Sequence, residues 1–290
     1  MKNRMLKFIR KKDFRFIREI GQGGTGRTVL LKDETIDELF VCKKYSPYFE
    51  EHKELFYNNF LREIKILHKL FHRNVVRVFN YYLYPNEKTG YIMMEYLTGK
   101  NIAKYLKNNP DKLNEIFKQT INGFQYLESN NILHRDIRPD NIIVTDDGLV
   151  KIIDFGFGKE YSLQSANDKS ISLNWRYAPP KDFNENFYDF RTEIYFVGKL
   201  FEEIIKDFGI NGFNFMSILK KMINDDFESR IQSFFDIERK ILSFSSNELK
   251  FSEAEKIVYQ SFSNSLLNIF SRIENDCEYL SNIDTLINKI

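Results

Sequence analysis

The stretch that decides the fold reads His134-Arg135-Asp136-Ile137-Arg138-Pro139-Asp140-Asn141. Two short apolar runs follow it, at residues 142–144 and 149–153, and Asp154-Phe155-Gly156 comes after the second run. Between the runs stands Asp146-Asp147-Gly148, and an Asp-Gly pair between apolar runs predicts a two-residue hairpin turn. Such a turn would place Asn141 directly opposite Asp154, at the open end of the hairpin.

The side chains at this open end offer oxygen atoms to a metal ion. An amide oxygen and a carboxylate are hard ligands, and magnesium prefers such ligands together with waters and phosphate oxygens. We therefore predict a magnesium site at Asn141 and Asp154, and Asp136 falls within the same site. A purely structural hairpin is the alternative interpretation of residues 142–153.

Upstream of this site the chain alternates in the manner of strands. Strand patterns cover residues 14–20, 28–31, 39–44, 75–84 and 91–94, and a helical period covers residues 60–71. Beyond Leu97 the periods are mainly helical. The sequence predicts an α+β fold in which a small antiparallel sheet with one main helix precedes a larger helical lobe.

Four segments follow from these patterns. Residues 1–13 are a basic N-terminal segment, residues 14–97 the small lobe, residues 98–236 the large lobe, and residues 237–290 a helical extension. Apolar residues of the extension recur at steps of three or four. The extension either packs on the protein's own large lobe or forms a helical contact with a second copy or a partner.

Glycines lie between the first two strand patterns, in Gly21-Gln22-Gly23-Gly24-Thr25-Gly26. Backbone N–H groups of such a loop can approach phosphates closely. A dinucleotide-binding fingerprint needs a helix after the loop, but a strand pattern follows here, which favours a loop that covers a nucleotide from above. An ordinary glycine turn is the alternative.

A lysine on the third strand is the candidate partner of an acidic residue on the helix. Strand alternation places Phe40, Cys42 and Lys44 on one face. Glu63 lies at the edge of the apolar stripe of the helix, where its carboxylate can turn toward the sheet. We predict that Lys44 pairs with Glu63, and solvated surface positions for both residues are the alternative.

Composition narrows the classes of protein that remain. The 290 residues are 42% hydrophobic and carry 43 basic against 41 acidic side chains, which describes a folded globular chain and predicts no obligatory nucleic-acid partner. No apolar stretch reaches the length of a transmembrane helix, and no secretory signal is recognisable. Cys42 and Cys277 have no partners nearby in sequence, so we expect a soluble protein of the reducing cytoplasm, with delivery into another cell left open.

Taken together, the motifs resemble the eukaryotic-type (Hanks-type) protein kinase family, in order from about residue 14 to about residue 237. The resemblance implies ATP and Mg²⁺ as cofactors and a protein as substrate. It implies that Asp136 is the catalytic aspartate, that Asn141 and Asp154 ligate the metal, and that Lys44 holds the nucleotide. Arg138 stands where the family usually has a phosphate-contacting lysine, and arginine can supply the same charge.

The resemblance also implies a nucleotide pocket around the glycine-rich loop, the third strand and the connection between the lobes. Glu63 would be the partner of the lysine, Met94 would guard the back of the pocket, and residues 95–97 would bind adenine. The pocket residues implied are Ile20, Gly21, Gln22, Gly23, Gly24, Thr25, Gly26, Arg27, Thr28, Cys42, Lys44, Glu63, Met94, Glu95 and Leu97.

Four departures from the family pattern bear on what is carried over. Thr28 replaces the usual valine above the adenine, and Pro180 or Lys181 stands where a glutamate normally pairs with an arginine that resembles Arg230. Glu193 replaces the aspartate that anchors the catalytic segment. The interval before the helix near residue 214 is short, so the G helix of the family is reduced or missing.

The class of substrate hydroxyl and the control of activity are further expectations. Pro139 beside Arg138 resembles serine/threonine kinases, whereas Trp175 before the Ala-Pro pair resembles tyrosine kinases, and we favour the former. Arg135 suggests control by an anion in the activation segment, for which three serines are available: Ser165, Ser170 and Ser172. A catalytically inactive binding scaffold and a small-molecule kinase are the alternative functions.

Overall fold

The computed structural model describes residues 13–23, 26–45, 53–156, 159–160, 176–181, 183 and 188–248, and within the following segment residues 252, 254–255, 257–259 and 261–262. Several predictions concern residues outside these ranges. They involve the basic segment up to residue 12, Gly24, Thr25, the three serines, Trp175 and the helical period beyond Phe262.

The N-terminal region is the predicted antiparallel sheet with one main helix. Its strands are β1 (Arg15–Gly23), β2 (Gly26–Asp33), β3 (Glu38–Tyr45), β4 (Val78–Tyr84) and β5 (Thr89–Glu95), in the spatial order β1-β2-β3-β5-β4. Helix α1 (Lys53–Lys69) begins seven residues earlier than its predicted start at residue 60. Tyr57, Phe60, Ile64 and Leu67 form its buried stripe, at the three- and four-residue spacing of a helix.

The following region is mainly helical. Its helices are α2 (Ile102–Asn108), α3 (Leu113–Ser129), α4 (Phe190–Phe208), α5 (Met216–Met222) and α6 (Phe234–Glu248). Strands β6 (Gly99–Asn101), β8 (Ile142–Thr145) and β9 (Val150–Ile152) form a small antiparallel sheet, and β7 (Ile132–Leu133) pairs with β10 (Lys159–Glu160). Aromatic side chains of α3 build the core, where Phe117 and Phe124 are almost completely buried. The predicted two-lobed α+β class is therefore confirmed.

The hairpin of β8 and β9 has a longer turn than predicted. Thr145 pairs with Leu149 through a 2.9 Å hydrogen bond from the Thr145 amide, so Asp146, Asp147 and Gly148 form a three-residue loop. Gly148 adopts a φ of 82°, which fits the last position of such a loop and which glycine allows without strain. The predicted two-residue turn is wrong by one residue, and Asn141 lies opposite Ile153, whose amide donates to the Asn141 carbonyl at 2.9 Å.

Helix α4 has well-defined ends. Asp189 caps its N-terminus in a reciprocal capping box with Thr192, and Gly209 ends it in the left-handed conformation with a φ of 60°. No helix lies in the connection from residue 209 to 215, in agreement with the predicted contraction of this region. Asn114 of α3 holds that connection by accepting from the Asn214 amide and donating to the Gly212 carbonyl, both at 2.9 Å.

The chain divides into two compact units, Met1–Arg239 and Lys240–Ile290. In the second unit, short helical turns occur at residues 254–255, 257–259 and 261–262, and Ile257, Val258, Tyr259 and Phe262 are exposed. Within the described ranges, no helix combines the length and the apolar character needed to cross a bilayer.

Candidate active site

A cleft lies between the N-terminal sheet and the β8–β9 sheet. Its volume is about 270 Å³, close to that of a small ligand site. Several predicted pocket residues line it, namely Ile20, Thr28, Glu63, Met94, Glu95 and Leu97. Val41, Ile143 and Ile153 add apolar surface. The cleft therefore offers a mostly apolar slot with an acidic side chain at its inner end.

A second cavity of about 320 Å³ adjoins the cleft under the glycine-rich turn. Gly21, Gln22 and Gly26 line it from above, and Lys43 and Asp154 line both cavities. A Cβ atom at Gly26 would lie 2.1 Å from the Lys44 carbonyl oxygen, so only glycine allows β2 and β3 to approach this closely. Gly23 and Arg27 border neither cavity, because their neighbours in the strands face inward instead.

Lys43, and not Lys44, carries the ammonium group at the inner end of the cleft. Its Nζ lies 2.7 Å from Glu63 Oε1 and 3.1 Å from Asp154 Oδ1. The predicted pairing of Lys44 with Glu63 is therefore wrong. Val41 and Lys43 share the cleft side of β3, whereas Lys44 borders only the second cavity, and its Nζ lies 5.7 Å from the centre of the Tyr91 ring.

The same alternation corrects the predicted contact of Cys42. Val41 lines the cleft in its place, and Cys42 is a buried free thiol on the opposite face of the strand. Burial raises the pKa of the Cys42 thiol to about 11, so the side chain acts as a neutral packing group. The sequence pattern alone thus interchanged the positions of Val41 and Cys42, and those of Lys43 and Lys44.

The charges of Lys43 and Asp154 support each other. Although burial disfavours the ammonium form of Lys43, Glu63 and Asp154 together raise its pKa above the ordinary value. The positive charge of Lys43 in turn lowers the pKa of Asp154 to about 2, against the effect of burial. Asp154 therefore remains a carboxylate throughout the range in which the protein is expected to work.

Asp136 and Asn141 meet in the 134–141 segment. A 3₁₀ turn at Pro139–Asn141 brings the Asn141 amide nitrogen back to the Asp136 carboxylate, at 2.7 Å from Oδ2, and to the Asp136 carbonyl, at 2.8 Å. Arg138 Nε lies 3.5 Å from the same Asp136 oxygen. Asp136 is only 6% exposed, so these neighbours determine the direction of its carboxylate.

The oxygen atoms of this region fit the predicted magnesium ligands. The Asn141 nitrogen is used by Asp136, which leaves the amide oxygen as the atom that can ligate a metal. Asp154 contributes an ionised carboxylate. Asp154 lines the second cavity, and Asn141 is hydrogen-bonded to Ile153, the residue before Asp154; a carboxylate and an amide oxygen match the donor preference of magnesium.

Glu193 of α4 supports the 134–141 segment from below. Its Oε1 accepts from the Arg135 amide at 2.7 Å and from the Tyr188 hydroxyl at 3.3 Å. Arg135 adopts a φ of 67°, a conformation that is costly for a non-glycine residue and that this contact helps to hold. The contact agrees with the anchoring position predicted for Glu193.

The end of the segment before α4 is held by ion pairs. Arg176 and Tyr177 both contact Glu203 of α4, with Arg176 Nη2 at 2.7 Å and the Tyr177 hydroxyl at 2.7 Å. Lys181 lies 3.3 Å from Asp225. Arg230 donates to the carbonyls of residues 224 and 225 at 2.8 and 3.0 Å, and the residues described at the predicted glutamate position, Pro180 and Lys181, carry no carboxylate to pair with it.

The connection between the lobes is tied to the β8–β9 sheet. Glu95 Oε1 accepts from Lys151 Nζ and from the Arg77 amide, both at 2.7 Å. Sequence reasoning missed Lys151, because a lysine in a short strand between apolar residues has no local feature that distinguishes it from a solvated one. Its burial to 8% exposure arises only from the packing of the sheet against residues 75–77 and Glu95.

These features together define the class of protein kinases. They are a glycine-rich turn above a nucleotide-sized cleft, a Lys–Glu–Asp cluster and an Asp–Asn pair. The sequence model of the protein kinase domain matches residues 14–268. The chain belongs to the protein kinase domain family, and the resemblance inferred from its motifs is confirmed.

Individual relatives are similar over about two thirds of the chain. A probable serine/threonine-protein kinase MRK1 homolog of Encephalitozoon cuniculi is 29% identical over 196 residues, which cover 66% of this chain and 59% of the relative. Cyclin-dependent kinase 11 of Dictyostelium discoideum is 28% identical and is covered to 54%. Serine/threonine-protein kinase PAK mbt of Drosophila melanogaster is 27% identical over 64% of this chain and 29% of the relative. The chain therefore spans only part of the curated relatives that it matches.

Proposed function

We propose that the chain is an ATP-dependent protein kinase that transfers the γ-phosphate of ATP to serine and threonine hydroxyls of proteins, possible substrates including the chain itself. One observation carries this proposal. The Lys43–Glu63–Asp154 cluster lines the cavity under the glycine-rich turn, and the Asp136–Asn141 pair is joined to the residue before Asp154 by the 2.9 Å hydrogen bond from the Ile153 amide to the Asn141 carbonyl. Family membership and the names of the relatives support the choice of reaction.

The adenine ring would occupy the apolar cleft. Thr28 and Val41 would lie above it and Ile143 below it, with Met94 at the back and residues 95–97 at the outer edge. The phosphates would extend into the second cavity, where backbone N–H groups of the glycine-rich turn and the Lys43 ammonium can contact them. Lys43 replaces Lys44 in this role because only Lys43 reaches Glu63 and Asp154.

Asn141 and Asp154 would hold magnesium, which supplies charge neutralisation of the phosphate oxygens when it is bound. Asp136 orients the substrate hydroxyl toward the γ-phosphate and accepts its proton late in the reaction. Asn141 fixes the Asp136 carboxylate through its 2.7 Å hydrogen bond, and Arg138 brings a positive charge to the transferred group. Phosphoryl transfer relies mainly on such alignment and charge stabilisation, so these residues are sufficient for the chemistry.

Serine and threonine are the preferred acceptors. Pro139 follows Arg138 in the manner of serine/threonine kinases, and the relatives described above with a printed specificity are serine/threonine-protein kinases. The Arg176–Tyr177 contact with Glu203 holds the end of the segment on which a peptide would lie. The Asp154-Phe155-Gly156 motif followed in the sequence by a segment of this kind favours a protein over a small-molecule acceptor.

The test uses the full chain and an Asp136→Ala variant with γ-labelled ATP, magnesium and a generic basic protein. We expect label on serine or threonine with the wild type, and at least about a hundredfold less with the variant, the lower end of the range for loss of a positioned acid or base. Hydrolysis followed by phosphoamino-acid analysis identifies the acceptor. ATP binding without transfer by either protein would favour a binding scaffold, and transfer only to a small molecule would favour that class of kinase.

A further inference from the structure

Glu193 stands out among the buried acidic residues because only one of its carboxylate oxygens is hydrogen-bonded. Its side chain is completely shielded from solvent, and Oε1 takes both the Arg135 amide and the Tyr188 hydroxyl. Oε2 is buried and has no hydrogen-bond partner among the described residues. The family pattern that the motifs resemble has the shorter aspartate at this position.

Arg135 is the cation whose charge lowers the pKa of Glu193, against the larger effect of burial. Its guanidinium lies over the Tyr188 ring at 5.5 Å, and its Nε is itself buried without a hydrogen-bond partner in the described part of the chain. Arg191, from the same helix as Glu193, pairs with Asp189 at 2.9 Å. Arg62 of α1 lies near Arg135, and its positive charge lowers the pKa of the Arg135 guanidinium.

The remaining groups around Glu193 are neutral or acidic. His134 lies in the supported segment, burial lowers its pKa, and its Nε2 is 2.9 Å from the Ile153 carbonyl. Tyr188 is a neutral phenol whose pKa burial raises well above the ordinary value. Asp189, which pairs with Arg191, and Asp136 are the acidic neighbours in this part of the chain. The amides of Arg135 and His134, the Tyr188 hydroxyl and the Arg135 charge lower the pKa of Glu193, but burial outweighs them.

An unpaired charge costs more to bury than an unpaired neutral group, because the charge loses its full solvation. Burial raises the pKa of Glu193 to about 7, although the amides of Arg135 and His134, the Tyr188 hydroxyl and the Arg135 charge act in the opposite direction. The geometry and the electrostatics thus agree on a carboxyl group that retains a proton near neutrality.

We propose that Glu193 is a positioning residue that holds Arg135, and through it Asp136, in its protonated form. It touches none of the reacting groups. When it ionises, the charge on Oε2 attracts the Arg135 guanidinium away from Tyr188 and disturbs the residue next to Asp136. The part of this inference that concerns catalysis rests on the proposed kinase function.

The stability of the fold gives a test that does not depend on activity. The pKa of Glu193 is higher in the folded state than in the unfolded state, so the protonated carboxyl group stabilises the fold. This contribution to the free energy of unfolding is complete below pH 4.5, the unfolded pKa, and is lost as the pH rises through about 7. Between pH 5 and pH 8 we expect the folding equilibrium of the wild type to fall about a hundredfold relative to that of Glu193→Gln, measured by urea unfolding of the full chain.

Glu203 provides a matched control on the same helix. Arg176 and Tyr177 lower its pKa despite partial burial, so its stabilising contribution is present above the ordinary range and is lost as the pH falls. Glu203→Gln is therefore expected to change the pH dependence of unfolding in the direction opposite to Glu193→Gln. Equal pH dependence in wild type and Glu193→Gln would overturn the proposal.

Variants that fail to fold are also informative. If Glu193→Gln is unfolded at pH 6 while Glu193→Asp is folded, the negative charge is required and the proposal is wrong. If neither folds, carbon-13 NMR of glutamate carboxyls in the wild type decides: one signal that titrates near neutrality supports the proposal, and its absence contradicts it.

Activity then tests the catalytic part. We expect kcat of the wild type to decline as the pH rises through about 7, while kcat of Glu193→Gln does not and KM for ATP stays constant in both. A protein that shows the unfolding difference but transfers no phosphate at any pH would refute the kinase proposal and leave the protonation of Glu193 standing. The same alkaline decline of kcat in both proteins would refute the role in positioning.

Discussion

Replacing Lys43 and Lys44 separately by methionine distinguishes two adjacent residues of the same type. Lys43 donates to Glu63 at 2.7 Å and to Asp154 at 3.1 Å, and it lines both cavities. Lys44 approaches the Tyr91 ring at 5.7 Å, on the opposite side of the strand. Methionine keeps most of the length and apolar volume of either side chain while it removes the charge.

The expected magnitudes differ because the two ammonium groups face different surroundings. Loss of one preorganised charged contact to a transition state costs roughly 3–4 kcal/mol, so Lys43→Met should lower kcat/KM by about two to three orders of magnitude. Removing Lys43 also leaves Glu63 and Asp154 as neighbouring carboxylates without their common partner. An exposed cation–π contact is worth about 0.5–1 kcal/mol, so Lys44→Met should change kcat/KM by less than about fivefold.

Initial rates of label transfer at several ATP concentrations give kcat and KM for each variant. Circular dichroism and thermal unfolding establish that both variants are folded, and Glu63→Gln serves as a companion that weakens the Lys43 contact without removing the lysine. A loss for Lys44→Met equal to or larger than that for Lys43→Met would refute the assignment of the inner ammonium group to Lys43.

Three further outcomes are expected. Asn141→Ala should lower kcat by about a hundredfold or more, because the Asp136 carboxylate loses the 2.7 Å hydrogen bond that orients it. Loss of a proposed metal ligand should also raise the magnesium concentration needed for the half-maximal rate, and unchanged rates would refute this role. Gly209→Ala should destabilise the fold by about 1 kcal/mol in urea unfolding, because alanine is strained at a φ of 60°. The space around the added Cβ is open, so the cost arises from the backbone alone. Full stability of the variant would show that the helix end can rearrange. Replacing the three candidate phosphorylation sites together by alanine should lower activity if an anion must pair with Arg135, and untouched activity would exclude control there. These sites are Ser165, Ser170 and Ser172.

The sequence by itself determined the class of fold and indicated the candidate reacting groups. Asp136, Asn141 and Asp154 belong to motifs whose spacing is set along the chain, and a short hairpin must bring the ends of such motifs together whatever the length of its turn. The turn was nevertheless one residue longer than predicted, because Asp146-Asp147-Gly148 satisfies two turn types and the strand register selects between them.

The tertiary structure alone decided which of two neighbouring lysines contacts Glu63 and Asp154. Alternation along β3 requires that Lys43 and Lys44 face opposite sides, but the period is the same whichever side is the cleft. Pairing of Val41 with Met94 on β5 and packing of α1 with Glu63 make the Val41 side the inner one. Face selection depends on contacts between residues far apart in the chain, which a local period does not contain.

The protonation state of a buried carboxyl group also depends on contacts between residues far apart in the chain. The sequence identifies Glu193 as a carboxylate near the 134–141 segment, but its protonation depends on which atoms surround it in three dimensions. The Arg135 amide reaches only one of its oxygens, and the guanidinium of the same residue turns to Tyr188. Local sequence determines which helices and strands form and which chemical groups they carry. Tertiary packing determines which face is enclosed and how each enclosed charge is compensated, because burial and charge pairing arise from contacts across the fold.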